Sequence, residues 1–107
     1  MGYKQFDFDD SVSQKVYNTH LIINDEGQIV SKYRKIHLFD IDLTSKGGSI
    51  MNEFKHIHRG HKVVDPIYSP CGYLGLSISF DVRFPEMYRD LVLRGAQTLL
   101  VPSHFLP

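Results

Sequence analysis

From Lys15 onward the chain alternates between apolar and polar positions in a way that predicts strands. KVYNTHLIIN is rich in β-branched and aromatic residues, DEGQ interrupts it, and IVSKYRKIHL resumes the same character. Two such runs around a short polar break predict a β-hairpin, with Gly27 supplying the backbone freedom of the turn. The preceding MGYKQFDFDDSV is acidic and aromatic without a sustained period and predicts an irregular lead-in. Residues 40–61, with Gly-Gly, scattered charges and three histidines, show neither a helical nor a strand period and predict a long loop.

The second half of the chain reads differently. KVVDPIYS predicts a short strand broken at Pro66, PCGY a turn, and LGLSISF a buried strand over 74–80. After Asp81 the period changes to about 3.6. Pro85 suits a first helical turn, Glu86 suits the positive end of the helix dipole, and Gly95 suits a terminator, so a helix is predicted over 85–94. Met87, Leu91 and Arg94 lie along one line of it and Tyr88 and Val92 along the next, an apolar face able to cover a sheet. AQTLLVPS predicts a further, fully buried strand over 97–102, which completes a βαβ unit with parallel strands. Ligands in such sheets sit beyond the carboxyl ends of the strands, which draws attention to Ser79 to Arg83. No covering helix follows PSHFLP, so the chain reads as part of a larger sheet structure.

Composition narrows the function classes. The 107 residues fit one small domain, 42% hydrophobic and 22% charged. Twelve basic residues balance twelve acidic ones, which argues against nucleic acid or anionic lipid as a partner. Cys71 is the sole cysteine, so no intramolecular disulfide can form, and no apolar run reaches membrane-spanning length. The Met-Gly start lacks the hydroxyl residue at position 6 that myristoylation requires, since Phe6 stands there. A soluble, cytoplasmic protein is expected, mitochondrial if an N-terminal segment precedes this sequence.

Several residues could carry chemistry. In YRKIHLFD, Arg34, Lys35 and His37 sit at a strand end beside the long loop. A lysine withdrawn from water there could stabilise an oxyanion, but by spacing alone Arg34, Lys35 and Glu53 read as solvated charges. HIHRGH could ligate a transition metal through neutral imidazoles, yet with no nearby cysteine it reads as an adventitious cluster rather than a metal site. Cys71 reads as a small buried or half-buried thiol. GLSIS lacks the second glycine of a G-x-S-x-G elbow, and no strained turn is expected around Ser77.

KVYNTHLIINDEGQIVSKYRKIHLFD and GYLGLSISFDVRFPEMYRDLVLRGAQTLLVPS, with the loop between them, resemble the carbon–nitrogen hydrolase (nitrilase) superfamily. Within it they look most like the Nit branch, the deaminated-glutathione amidases that some invertebrates fuse to a Fhit domain. YRKIHLFD together with FDVRFPE is the specific pair. The resemblance implies an α/β fold, part of an α-β-β-α sandwich without its N-terminal and C-terminal portions, spanned here by residues 1–107 as a partial domain. It also implies hydrolysis of a linear small-molecule amide, no cofactor, no metal and homo-oligomeric assembly.

Members are similar in a Glu-Lys-Glu-Cys arrangement: a general acid–base glutamate, a lysine that stabilises the tetrahedral intermediate, a supporting glutamate and a cysteine nucleophile. Carried over by position, the lysine is Lys35, the second glutamate is Glu53, and Phe80, Asp81 and Arg83 fall on the substrate side. Ser79 stands where the cysteine belongs, and the first glutamate would lie upstream. A hydroxyl ionises far less readily than a thiol and needs a positioned base, so negligible amidase activity is expected of the chain alone. The alternative is a non-catalytic paralogue that serves as a binding or assembly partner.

Overall fold

The structure is a computed structural model, and it describes residues 2–6, 15–42, 44–47 and 50–104. The hairpin forms as expected from β2 (Val16–Ile23) and β3 (Ile29–Arg34), antiparallel, with Thr19 opposite Arg34 and a register shift between Ile22 and Ile23. Its turn is organised by Asn24 as much as by Gly27. The Asn24 carboxamide oxygen accepts the backbone N–H groups of Glu26 and Gln28, while Gly27 takes a φ of +78°.

The lead-in departs from expectation. Residues 2–6 form β1 (Gly2–Phe6), antiparallel to β2, and only the remainder of that stretch lies outside the described residues. Ladder pairing with a strong neighbour can recruit a segment whose own pattern is weak. The long loop is corrected in the same way. Asp40–Asp42 (β4) pairs antiparallel with Ile50–Asn52 (β5), Glu53–Lys55 makes a 3₁₀ turn, and Ile57–His58 (β6) runs parallel to the start of β2. Strands of two or three residues are too short to show a period.

Gly60 fixes the return of this segment. Its N–H donates to the Lys35 carbonyl at 2.7 Å, and a Cβ built on it would lie 2.1 Å from the Arg34 carbonyl oxygen. Both contacts are backbone, so no rotamer change relieves them. Gly60→Ala is expected to cost about 2–4 kcal/mol through strain and the displaced hydrogen bond. A urea midpoint unchanged from wild type would show that β3 and residues 59–62 separate without penalty.

A second sheet follows. Of the short strand expected with a break at Pro66, the part after the proline forms, as β7 (Ile67–Ser69), antiparallel to β8 (Gly72–Leu76), while Val63 and Val64 pack against the core without joining a strand. Proline cannot donate to a ladder, which displaces pairing to its far side. β9 (Thr98–Leu100) is parallel to β8, and α1 (Pro85–Leu93) crosses between them. The helix ends in a Schellman motif: Ala96 N–H donates to Leu91 O and Gly95 N–H to Val92 O, with Gly95 at φ +106°.

The core is Tyr33, Leu76, Ile78, Met87 and Leu91, which joins the inner face of the first sheet to β8 and α1. The covering face of the helix is narrower than expected, because Val92 is 55% exposed. β9 is not fully buried either: Thr98 and Leu99 are exposed, since no described element packs over them.

His20 joins the two sheets. It is buried, and its Nδ1 lies 3.1 Å from the Ser77 carbonyl. Burial pulls its pKa below the ordinary 6.5, against the raising effect of that carbonyl. A lowered pKa means that the stabilisation is complete above about 6.5 and drains away as pH falls through the folded value. The melting temperature is therefore expected to fall between pH 7 and pH 5, and to fall less in His20→Gln. A steeper decline in the variant would assign the acid sensitivity elsewhere.

Candidate active site

Period two places Tyr33, Lys35 and His37 on one side of the chain as it leaves β3. All three are drawn into the interior by partners that lie far away in sequence.

Lys35 is 3% exposed, its N–H bonded to Asn18 O and its carbonyl to Gly60 N–H. Its ammonium donates to Glu53 Oε1 at 2.8 Å. That oxygen also accepts the Phe39 N–H at 2.7 Å, and Glu53 N–H donates back to Phe39 O. Two links between the strand end and the Glu53 turn thus hold the carboxylate where the lysine needs it. The reading of Lys35 and Glu53 as solvated charges is corrected here. A buried ammonium is tolerable only with such a partner.

Ser79 lies at the carboxyl end of β8. Parallel pairing continues past the strand, with Ser77 N–H on Leu100 O and Ser79 N–H on Pro102 O. The chain then turns sharply into a 3₁₀ segment, Ser79–Arg83. Ser79 takes a φ of +44°, alone among the described non-glycine residues in having a positive value. That conformation costs a non-glycine residue roughly 1–3 kcal/mol and is maintained only where surroundings enforce it. The expectation of an unstrained turn held for Ser77 but not for its neighbour two residues on. Among the described residues no side chain hydrogen-bonds the Ser79 hydroxyl.

Asp81 is the residue that enforces this geometry. It is fully buried, and each of its oxygens accepts two bonds. Oδ2 takes the Tyr33 hydroxyl at 2.6 Å and the Ile78 N–H at 2.8 Å; Oδ1 takes the His37 N–H at 3.1 Å and lies 2.7 Å from His37 Nδ1. The bond from the Ile78 N–H closes the 3₁₀ turn that presents Ser79. The bonds to Tyr33 and His37 tie that turn to the strand end bearing Lys35. Burial above all, and then the Asp81 charge and hydrogen bond, push the Tyr33 phenol pKa far up, so it stays a donor.

Aromatic rings complete the junction. His37 stacks on Phe84 at 3.7 Å between centroids, and Phe80 meets both Phe39 and Phe84 edge-on. Phe80 is half-buried between the two loops, whereas Arg83 is exposed on the outer side of the turn. Of the residues assigned by resemblance, Lys35 and Glu53 are therefore in direct contact. Ser79 is linked to them indirectly, through Asp81, which bonds His37, and Phe80, which meets Phe39, and Asp81 spends its oxygens inside the protein. Sequence reasoning passed over Tyr33 and Phe39; the shared parity of Tyr33, Lys35 and His37 was the available signal.

Cys71 stands apart from this site. It is exposed on the β7–β8 turn, not buried or half-buried, because Pro70 and Gly72 hold it at the tip. His56 and His61 are exposed, His58 lies against Tyr17, and no group of three potential ligands gathers among the described residues. No helix among them is long and apolar enough to cross a membrane.

A parallel βαβ unit whose strained Ser79 turn is tied through Asp81 to the strand end bearing the Lys35–Glu53 pair is an α/β arrangement, and comparison with known proteins gives its family. The carbon–nitrogen hydrolase model matches residues 1–106, and the chain belongs to that family. It is 53% identical over 97 residues to a deaminated glutathione amidase of Dictyostelium discoideum, covering 91% of this chain and 33% of that protein. Its fold is similar to the crystal structure of the Caenorhabditis elegans NitFhit protein (TM-score 0.85, 39% identity, 97% of this chain and 24% of that one). It is likewise similar to Nit3 of Saccharomyces cerevisiae, a member of branch 10 of the nitrilase superfamily (TM-score 0.74, 30% identity, 97% and 32%). The chain spans about a third of the length of the amidase relative, and thus a portion of the nitrilase fold.

Proposed function

We propose that residues 1–107 form part of a carbon–nitrogen hydrolase domain that acts on a linear amide of the deaminated-glutathione type, with Lys35, Glu53 and Ser79 at the reacting centre. The observation that carries this reading is the buried Lys35–Glu53 pair, tied through Asp81 to the strained turn at Ser79. The Lys35 ammonium would face the oxyanion that develops when the carbonyl is attacked, in a site dry enough for the charge to count. Glu53 would fix its position. Phe80, at the junction of the loops, would wall the acyl group, and Arg83 would meet the outer part of the substrate. Asp81 would act by holding Ser79 and His37 in place. On this reading the protein assembles as a homo-oligomer in the cytoplasm.

Attack by the Ser79 oxygen would form an ester with the acyl group and release the amine, the hydroxyl proton passing to a base. Since no described side chain accepts that proton, turnover of an unactivated amide by residues 1–107 alone is expected to be negligible. An activated ester needs less help from a base. Intact-mass analysis of the Cys71→Ser form, which removes the exposed thiol, after incubation with a p-nitrophenyl ester of a short dicarboxylic acid should therefore show one acyl adduct on Ser79. The adduct should be absent in Ser79→Ala and strongly slowed in Lys35→Met. No adduct on a chain that circular dichroism shows to be folded would sink the catalytic reading in favour of a non-catalytic assembly partner, a role for which a hydroxyl without a base is the supporting feature.

A further inference from the structure

Successive strand residues face opposite ways, so Lys32 and Arg34 stand on the other side of β3 from Tyr33 and Lys35. There Lys32, Arg34, His61, Lys62 and Val64 line a groove of about 290 Å³. That size is close to the lower limit of small-molecule sites.

Three features set this groove apart from an ordinary solvated surface. The chain as a whole is electrically balanced, yet among the described residues the lining holds three cations and an imidazole and no carboxylate. The nearest acid along the chain, Asp65, is bound by Arg94 at 2.9 Å, and Arg94 also takes Asp90, so the groove charge is not neutralised from that side. Among the described residues Lys32, His61 and Lys62 have no ion-pair or hydrogen-bond partner through their side chains.

The walls are also fixed. Gly60 presses against the Arg34 carbonyl and donates to Lys35 O, which pins His61 and Lys62 alongside β3. The Arg34 guanidinium lies 4.0 Å from the centre of the Tyr17 ring, a cation–π contact that holds it in one place. Val64 packs against the hydrophobic core and anchors the lining from below. Like charges gathered on a rigid frame repel one another, and a multiply charged anion relieves that repulsion.

We propose that this groove is a binding site for a small, multiply charged oxyanion, a phosphate ester or a polycarboxylate. It is separate from the Lys35–Glu53 pair, which lies on the opposite face, and it stands whether or not the amidase reading does.

The test is a titration of the full chain with inorganic pyrophosphate and, separately, with citrate at constant ionic strength, followed by ¹H–¹⁵N NMR. Saturable shifts centred on Gly60, His61 and Lys62 are expected, with a dissociation constant on the order of 1 mM at low salt, as suits exposed cations. The double variant Lys32→Gln/Lys62→Gln should weaken binding about tenfold. The control Lys46→Gln/Arg89→Gln makes the same change in net charge away from the groove and should leave affinity within about twofold. His61→Ala reads the same site should the double variant lose its fold. Saturation by one anion names the source of the ligand, and saturation by both names the shared chemistry. Shifts that rise linearly with either anion, or equal weakening in the two double variants, would reduce the groove to a diffuse ion atmosphere and overturn the proposal.

Discussion

Asp81→Ala is expected to lower the unfolding free energy by about 3–5 kcal/mol, because the buried donors it satisfies would lose their acceptor together. The Tyr33 hydroxyl is the worst placed, since the whole residue is fully buried and cannot turn to water. The Ile78 N–H and the His37 N–H would be orphaned as well. A domain of this size has only about 5–15 kcal/mol in total, so the variant should unfold at much lower urea and sit near its threshold at 37 °C. Tyr33→Phe separates the contributions. It removes the phenol donor but leaves the Ile36 N–H, which donates to that oxygen at 3.0 Å, without its acceptor, and should cost about 1–3 kcal/mol. A loss below 1 kcal/mol in Asp81→Ala would mean that the Ser79 turn and the end of β3 are held together by the Phe39, Phe80 and Phe84 contacts alone.

Ser79→Cys is expected to raise the rate of acylation by the same activated ester by about two orders of magnitude or more. General-base assistance is worth roughly 10²–10⁴, and a thiol, with a free pKa of about 8.5, supplies several per cent of its reactive anion near neutrality without it. The experiment belongs in a Cys71→Ser background, since the exposed Cys71 thiol would otherwise report its own reaction. The rate should climb with pH until the new thiol is ionised, and Lys35→Met should slow both the serine and the cysteine forms. Equal rates for the two nucleophiles would mean that the turn does not present this side chain to the ester.

The site was legible in uneven measure. The hairpin and α1 follow from a local period of two or 3.6, and the parallel β8–β9 pairing from the two apolar runs that flank the helix. β4, β5 and β6 escaped notice, since two or three residues carry no period and are held by pairing partners elsewhere. Spacing also misled about Lys35. Its neighbours Arg34 and His37 suggested a solvated edge, while burial was decided by Glu53, eighteen positions away.

The sequence by itself determined the family, the order of the main elements, the neutral charge and the identity of the groups that could react, since these depend on which residues stand at which positions. Only the tertiary structure decided that Lys35 is buried against Glu53, that Ser79 takes a left-handed turn, and that Asp81 binds both loops from within. The physical reason is the range of the interactions. Periodicity and turn chemistry act between near neighbours and are written along the chain, whereas the burial of a charge and the strain at Ser79 come from groups 14 to 48 positions apart that meet when the sheets close on one another.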